Sequence, residues 1–174
     1  MPLADRATEG TTRVDLGDAH RMDELLVEWR ILAAAALVGI ARRALELGVR
    51  YVLDRHQFGR PIGSYQSIQH GLADFPALID GARFLTHKAA WATRPDRRAE
   101  DPDPAVLASM AFLQAGEAAA VCTDRSLHYH GGYGFSLEYD IQLYFRRARG
   151  WASIAGDPAG ERRRLADLLW PKAG

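Results

Sequence analysis

Cysteine is almost missing from this chain. Cys122 stands alone, so an internal disulfide and a cysteine-based metal cluster are both excluded. It lies in "EAAAVCTDRS", an apolar helical context that predicts a small buried residue. Lysine is nearly absent too: Lys88 and Lys172 are the only two, and every other basic side chain is arginine. Arginine is the better fork for phosphate and carboxylate, and GC-rich coding gives the same bias. There is no excess of charge, with 22 basic residues against 22 acidic ones. That balance argues against a general binder of nucleic acid or membrane surface, which is usually basic. Long apolar runs are lacking as well. The stretch from Ile31 to Ile40 is too short to span a bilayer, and "MPLADRATEG" has no apolar signal core. The expectation is a soluble, cytoplasmic protein.

Catalytic signatures are equally thin. No Glu-x-x-His occurs, so the di-iron carboxylate arrangement is excluded. Asp124 and His128 are four apart, but one such pair arises often by chance, and no metal site is expected. There is no Gly-x-Ser-x-Gly, and the six histidines are scattered.

What the chain does have is helical periodicity over a length that fits one domain with a real core. Residues 1–21 are polar, with little helical period, and read as a tail. From Met22 the apolar residues Leu25, Trp29, Leu32, Ala33, Ala36, Leu37, Ile40 and Ala44 recur every three or four positions, predicting a helix over 22–54. Gly39 and Gly48 inside it cost up to about 1 kcal/mol each against alanine, a loss that close approach of another helix can offset. A second helix is predicted from Ser64, as N-cap, to Trp91, with a kink at Pro76. A third, alanine-rich helix runs over 104–129, opened by Asp101-Pro102 or Asp103-Pro104. Shorter helices follow over 137–149 and 158–170, and no strand is expected after residue 21. The predicted fold is all-α: an antiparallel bundle of three long and two short helices occupying residues 22–174.

Two stretches carry more polar and glycine content than helix connections need. "DRHQFGRPIGSYQ" holds two arginines, a histidine and two glutamines. An arginine at a helix end complements the helix dipole, which alone accounts for Arg55. "HGGYGF" stops a long helix, and that needs one glycine in a left-handed conformation. Three glycines within four residues suggest that backbone also approaches something closely, and bare amides in such a turn suit an anion.

Together, "YVLDRHQFGRPIGSYQSIQHGLADF", the alanine-rich helix and "HYHGGYGFSLEYDIQLYFRRAR" resemble the C-terminal helical domain of the acyl-CoA dehydrogenase family over residues 22–170. The resemblance implies a flavoenzyme that dehydrogenates an acyl-CoA thioester and binds FAD across a subunit interface, with a like or homologous subunit as partner. Under it, Arg55 matches the arginine that holds the pyrophosphate, and Phe58 the aromatic before the proline-side turn. Gln66 matches a glutamine near the flavin, His128 stands where many members have glutamine, and Gly131 and Gly132 match backbone that meets the cofactor. A guanidinium and exposed amides both suit a diphosphate. The tail 1–21 resembles the end of the family's middle β-domain.

The chain departs from the family at both usual base positions. Ala155 stands where many members carry the catalytic glutamate, and Asp157 where threonine follows it. Trp29, before Arg30, occupies the alternative base position on the first helix. Neither side chain is a base. Glu28 is one residue away, about 100 degrees round the helix, so it is expected to point elsewhere. Arg147 replaces a common aspartate. The expectation is a domain or short member of the family that contributes FAD-binding and oligomer surfaces. The alternative is a non-catalytic helical scaffold, or the degenerate partner in a heteromeric dehydrogenase. Close packing of the alanine-rich helix on more than one side, with Trp151 and Trp170, predicts a dimer or tetramer in which Arg55 of one chain meets the glycine turn of another.

Overall fold

The computed structural model describes residues 18–154 and 157–171, together with Gly10. Most of the tail 1–21, and Ala155, lie outside the described residues. The elements are α1 (Ala19–Asp54), β1 (His56–Gln57), β2 (Arg60–Pro61), α2 (Gln66–Ala73), α3 (Phe75–Ala92), α4 (Pro104–His130), α5 (Ile141–Ala152) and α6 (Pro158–Leu169). The all-α bundle is as expected, with three long helices, α1, α3 and α4, and the two short C-terminal ones.

Helix ends follow local chemistry. Asp18 caps α1 by accepting from the Arg21 amide at 3.0 Å, so α1 starts three residues before the hydrophobic period does. Asp103 caps α4, accepting from Ala105 N at 2.8 Å, with Pro104 in the first turn. Asp101, the other candidate, instead ties down the preceding loop through Arg94 Nη2 and Arg98 N, each at 2.6 Å. The expected second helix is two helices. The chain breaks at Asp74, and Pro76 falls in the first turn of α3, where its missing N–H costs nothing. Ser64 does not cap; its hydroxyl donates to Pro61 O at 2.7 Å. The last three boundaries differ from expectation by at most four residues. The absence of strands was a misreading: β1 and β2 form a two-residue antiparallel ladder.

Successive long helices alternate in direction, so α1 and α4 run parallel, side by side. Trp29 meets Phe112, Gly48 meets Ser126, and Tyr51 meets His130. The seam is built from small residues. Ala34, Ala41 and Ala44 of α1, and Ala108, Ala111, Ala115, Ala118 and Ala119 of α4, are completely buried. At Gly48 an added Cβ would lie 2.6 Å from Ser126 Oγ, so this glycine is there for close approach. Gly39, by contrast, faces open space. The alanine surface of α4 is covered by α1, α3, α5 and α6 of the same chain, so it gives no reason by itself to expect a second copy. The segment 104–135 is, among the described residues, the one helix long and apolar enough by composition to cross a membrane. Here it is the central helix of the bundle. Cys122 is buried in it, and burial pushes its thiol up to about 12.

One ion pair crosses the core. Arg30 of α1 grips Glu161 of α6 with two parallel bonds, Nε to Oε1 at 2.7 Å and Nη2 to Oε2 at 3.1 Å, and donates a third to Leu26 O. Arg164 adds a bond to the buried Ser109 hydroxyl on α4 at 2.7 Å. Burial alone would raise the Glu161 carboxyl. The hydrogen bonds from Arg30 and Ser109, with the charges of Arg30 and Arg164, outweigh it and hold the carboxyl below its ordinary value. Its stabilising contribution is therefore complete above pH 4.5 and disappears as the pH falls through the lower folded-state value. We expect Glu161→Ala, which strands Arg30 in the core, to cost about 3–5 kcal/mol by denaturant melts at pH 7, and Arg30→Met with Glu161→Leu to cost far less. Between pH 5 and 3 the thermal midpoint of Glu161→Gln should fall less steeply than that of the wild type.

Candidate functional site at the end of α1

The polar stretch after α1 is a tight hairpin. Arg55 ends the helix in extended conformation, its amide still bonded to Tyr51 O at 2.9 Å. β1 and β2 pair Gln57 with Arg60, leaving Phe58 and Gly59 as the two tip residues. Both have positive φ, +52° and +80°, as a type I′ turn requires. Glycine adopts this freely. Phenylalanine does not, and the left-handed conformation costs a side chain about 1–2 kcal/mol. Phe58 is also 92% exposed, so its ring recovers nothing from the core.

The hairpin is held rigidly from below. Ile62 N donates to Arg55 O at 2.8 Å, and the Tyr65 hydroxyl to Gln57 O at 3.2 Å. The Arg60 guanidinium lies 4.1 Å over the Tyr65 ring. Gly63 lets the chain press onto α1, since a Cβ there would stand 3.0 Å from Val52 O.

The glycine turn, Gly131–Phe135, is brought to the same place by Tyr51. Its ring stacks on His130 at 4.0 Å, and its hydroxyl donates to His130 O at 3.3 Å. The Arg55 guanidinium then lies 6.0 Å from the Tyr133 ring in the same chain. Arg55 and this turn therefore already meet within one chain. The three glycines have three different explanations. Gly131 supplies a φ of +59°. Gly134 allows close approach inside the fold, since a Cβ there would stand 2.7 Å from Leu127 O. Gly132 has open space around it and an ordinary φ, so nothing in the chain's own packing requires it.

Arg55, Phe58, Gly131 and Gly132 therefore share one exposed end of the bundle. Arg55 makes no ion pair among the described residues, which leaves a guanidinium available to an anion. Gln66 is exposed at the first residue of α2, and His128 in the last turn of α4. Those two helices touch where the buried Tyr129 hydroxyl, itself without a hydrogen-bond partner, abuts Gly71. A free cation, open backbone at Gly132 and an unburied aromatic ring are a donor set that fits a diphosphate joined to a planar group.

The expected base positions lie elsewhere. Trp29 is half-buried, its ring 5.3 Å from Phe112, and it lines an apolar slot with Leu32, Ala36, Trp151 and Ile154. Ile154 of this slot is the last described residue before position 155 in the sequence. None of the slot's described lining residues is ionisable. Glu28 faces a different groove, with Asp23, Arg97 and Asp103. Asp124 pairs with Arg149 at 3.3 Å, and no cluster of three possible metal ligands occurs among the described residues.

Sequence reasoning overlooked the aromatic group beneath the turn. Burial keeps His130 neutral at pH 7, lowering its pKa despite a bond from Nδ1 to Ser126 O at 2.7 Å. Tyr139 meets both His130 and Tyr51 edge-on, at 5.4 and 5.7 Å. A tyrosine one helical turn before Arg55 was the available signal.

Comparison with known proteins gives a consistent result. The family model "Acyl-CoA dehydrogenase, C-terminal domain" matches residues 19–169. The chain is 40% identical over 135 residues to acyl-CoA dehydrogenase IpdE2 of Mycolicibacterium smegmatis, covering 78% of this chain and 40% of that protein. Among solved structures, butyryl-CoA dehydrogenase from Megasphaera elsdenii superposes with a TM-score of 0.78 at 32% identity, over 86% of this chain and 38% of that one. The ChsE4-ChsE5 complex from Mycobacterium tuberculosis gives 0.76 at 28% identity, over 89% and 41%. The chain thus spans about 40% of the length of such relatives.

The Phe58 conformation is directly testable. Phe58→Asn suits a left-handed tip, and we expect it to raise stability by about 1 kcal/mol, read from the thermal midpoint.

Proposed function

Because this chain belongs to the acyl-CoA dehydrogenase family, through that family's C-terminal helical domain, we propose that it supplies the FAD-facing and subunit-facing surfaces of an assembly that dehydrogenates an acyl-CoA thioester. The observation that carries this reading is Arg55, without an ion pair among the described residues and 6.0 Å from the Tyr133 ring of the glycine turn, at the same end of the bundle as the open backbone of Gly132 and the exposed ring of Phe58. Arg55 would grip the pyrophosphate with its planar fork. The amides at Gly131 and Gly132 would meet the same anion, and Phe58, Gln66 and His128 would border the cofactor. Bound FAD supplies a two-electron acceptor for oxidation of the α,β C–C bond.

Removal of the α-proton needs a base, and this chain offers none at either family position. In the proposal a homologous subunit provides it. The ChsE4-ChsE5 complex is a precedent for two-protein assembly among structural relatives. The chain's own part is then to orient the cofactor and to keep water from the apolar slot beside Trp29. A second reading is a non-catalytic scaffold, favoured by the lack of any ionisable side chain among that slot's described lining residues.

Flavin retention separates the two readings. Co-expressed with a glutamate-containing homologue, the assembly should be yellow. Arg55→Ala should weaken flavin binding by about 1.5–3 kcal/mol with an unchanged thermal midpoint, and Arg55→Lys should restore part of it. Alone, the chain should give no flavin-dependent turnover of butyryl-, octanoyl- or palmitoyl-CoA. A colourless, stable oligomer of this chain alone, or an assembly indifferent to Arg55→Ala, would favour the scaffold.

A further inference from the structure

The outer face of α1 carries an ordered ridge. Ala35, Gly39, Arg42, Glu46, Val49 and Leu53 are all exposed, and they follow one another at steps of four, three, four, three and four. That is the 3.5-residue repeat of a helix-pairing seam, drawn here down the outside of the bundle. It spans about 27 Å of helix. Leu53 is 60% exposed, and a Cβ added at Gly39 would meet open space. A mid-helix glycine costs about 1 kcal/mol, and among the described residues no helix comes close enough to offset it. Beside Ala35 and Gly39 runs a groove of about 620 Å3 between α1 and α3, with Val38 and Ile79 in its lining.

We propose that this ridge pairs with the same ridge of a second copy of the chain, antiparallel, about a two-fold axis level with Ala44. The register follows from size and charge. Around that axis Ala35 of one copy meets Leu53 of the other, Gly39 meets Val49, and Arg42 meets Glu46, each contact occurring twice. Every layer then joins a small residue to a larger one, or a cation to an anion. Val49 and Leu53 of each copy fall beside the groove at Gly39 and Ala35 of the other. Sliding one copy by a heptad would instead set Ala35 on Glu46 and Gly39 on Arg42. A parallel pair would set arginine on arginine and glutamate on glutamate, which repel. Within one chain Arg42 and Glu46 lie 3.5 Å apart in water; across the axis each charge gains a second opposite partner. A contact of this kind uses the same patch on both copies, so it closes at two. Leu32, the next position of the repeat, stays outside the pairing and keeps its place on the apolar slot. The flavin reading uses none of the ridge residues.

Sedimentation of the full chain from micromolar to near-millimolar concentration tests the pairing. We expect a concentration-dependent dimer. Glu46→Arg sets like charges together in both central layers and should weaken association at least about tenfold. The swap Arg42→Glu with Glu46→Arg should restore it, with the same helix content by circular dichroism in all three proteins. Register is read by cysteine pairing, since the native Cys122 is buried. A mixture of Gly39→Cys and Val49→Cys chains should oxidise to a cross-linked dimer. Either variant alone should not, because its two cysteines would stand about 15 Å apart along the seam, beyond disulfide reach. An assembly larger than a dimer that Glu46→Arg breaks into smaller units also supports the ridge. A monomer at near-millimolar concentration, an assembly indifferent to Glu46→Arg, a swap that fails to re-associate, or cross-linking of Val49→Cys by itself would overturn the proposal. Each of those results would leave Arg55 and flavin retention to their own test.

Discussion

Everything positioned in this molecule is positioned by the parallel contact of α1 with α4. Alanines on both helices bring the backbones close, and close backbones leave little room for slippage. Glycine at 48 admits Ser126, and that one contact fixes the register along the seam. Two distant places follow. At one end Trp29 meets Phe112 and closes the floor of the apolar slot. At the other, Tyr51 meets His130 and draws the glycine turn beside Arg55. A shift of one helical turn along the seam would separate both pairs at once.

The seam needs a second constraint, since alanines bury little area each and contribute little by transfer alone. The Arg30–Glu161 pair supplies direction rather than bulk. A buried ion pair is weak evidence for net stability, but its geometry is demanding, and its loss leaves an uncompensated charge. It fastens α6 to α1. Its arginine directly follows Trp29, so the turn of α1 that walls the slot is anchored by a charge interaction.

The helices were legible because each carries a sustained period and a local end signal. Asp103-Pro104, one of the two candidate starts for α4, caps that helix in the structure. The break at Asp74 was not legible, because an internal proline reads equally as a kink or as a first-turn residue. The hairpin was invisible for a different reason. Two-residue strands have no period, and Phe58-Gly59 lacks the asparagine or aspartate that usually announces a type I′ turn. At the site, Arg55 and the glycines stood out by composition. Their union within one chain depends on Tyr51, which read only as another apolar position on α1. The Arg30–Glu161 pair joins residues 131 apart, and no local pattern marks such a partner.

The burial of Cys122 has a practical side. With its sulfur buried in α4 and burial pushing its thiol up to about 12, Cys122 should resist thiol reagents at neutral pH. Oxidants and alkylating reagents have no native target of this kind among the described residues. A cysteine introduced at the hairpin tip or at position 132 would be the sole reactive handle, so a dye or spin label could be attached there without first removing a native residue. A label at either place would report on the Arg55 end of the α1–α4 seam in solution.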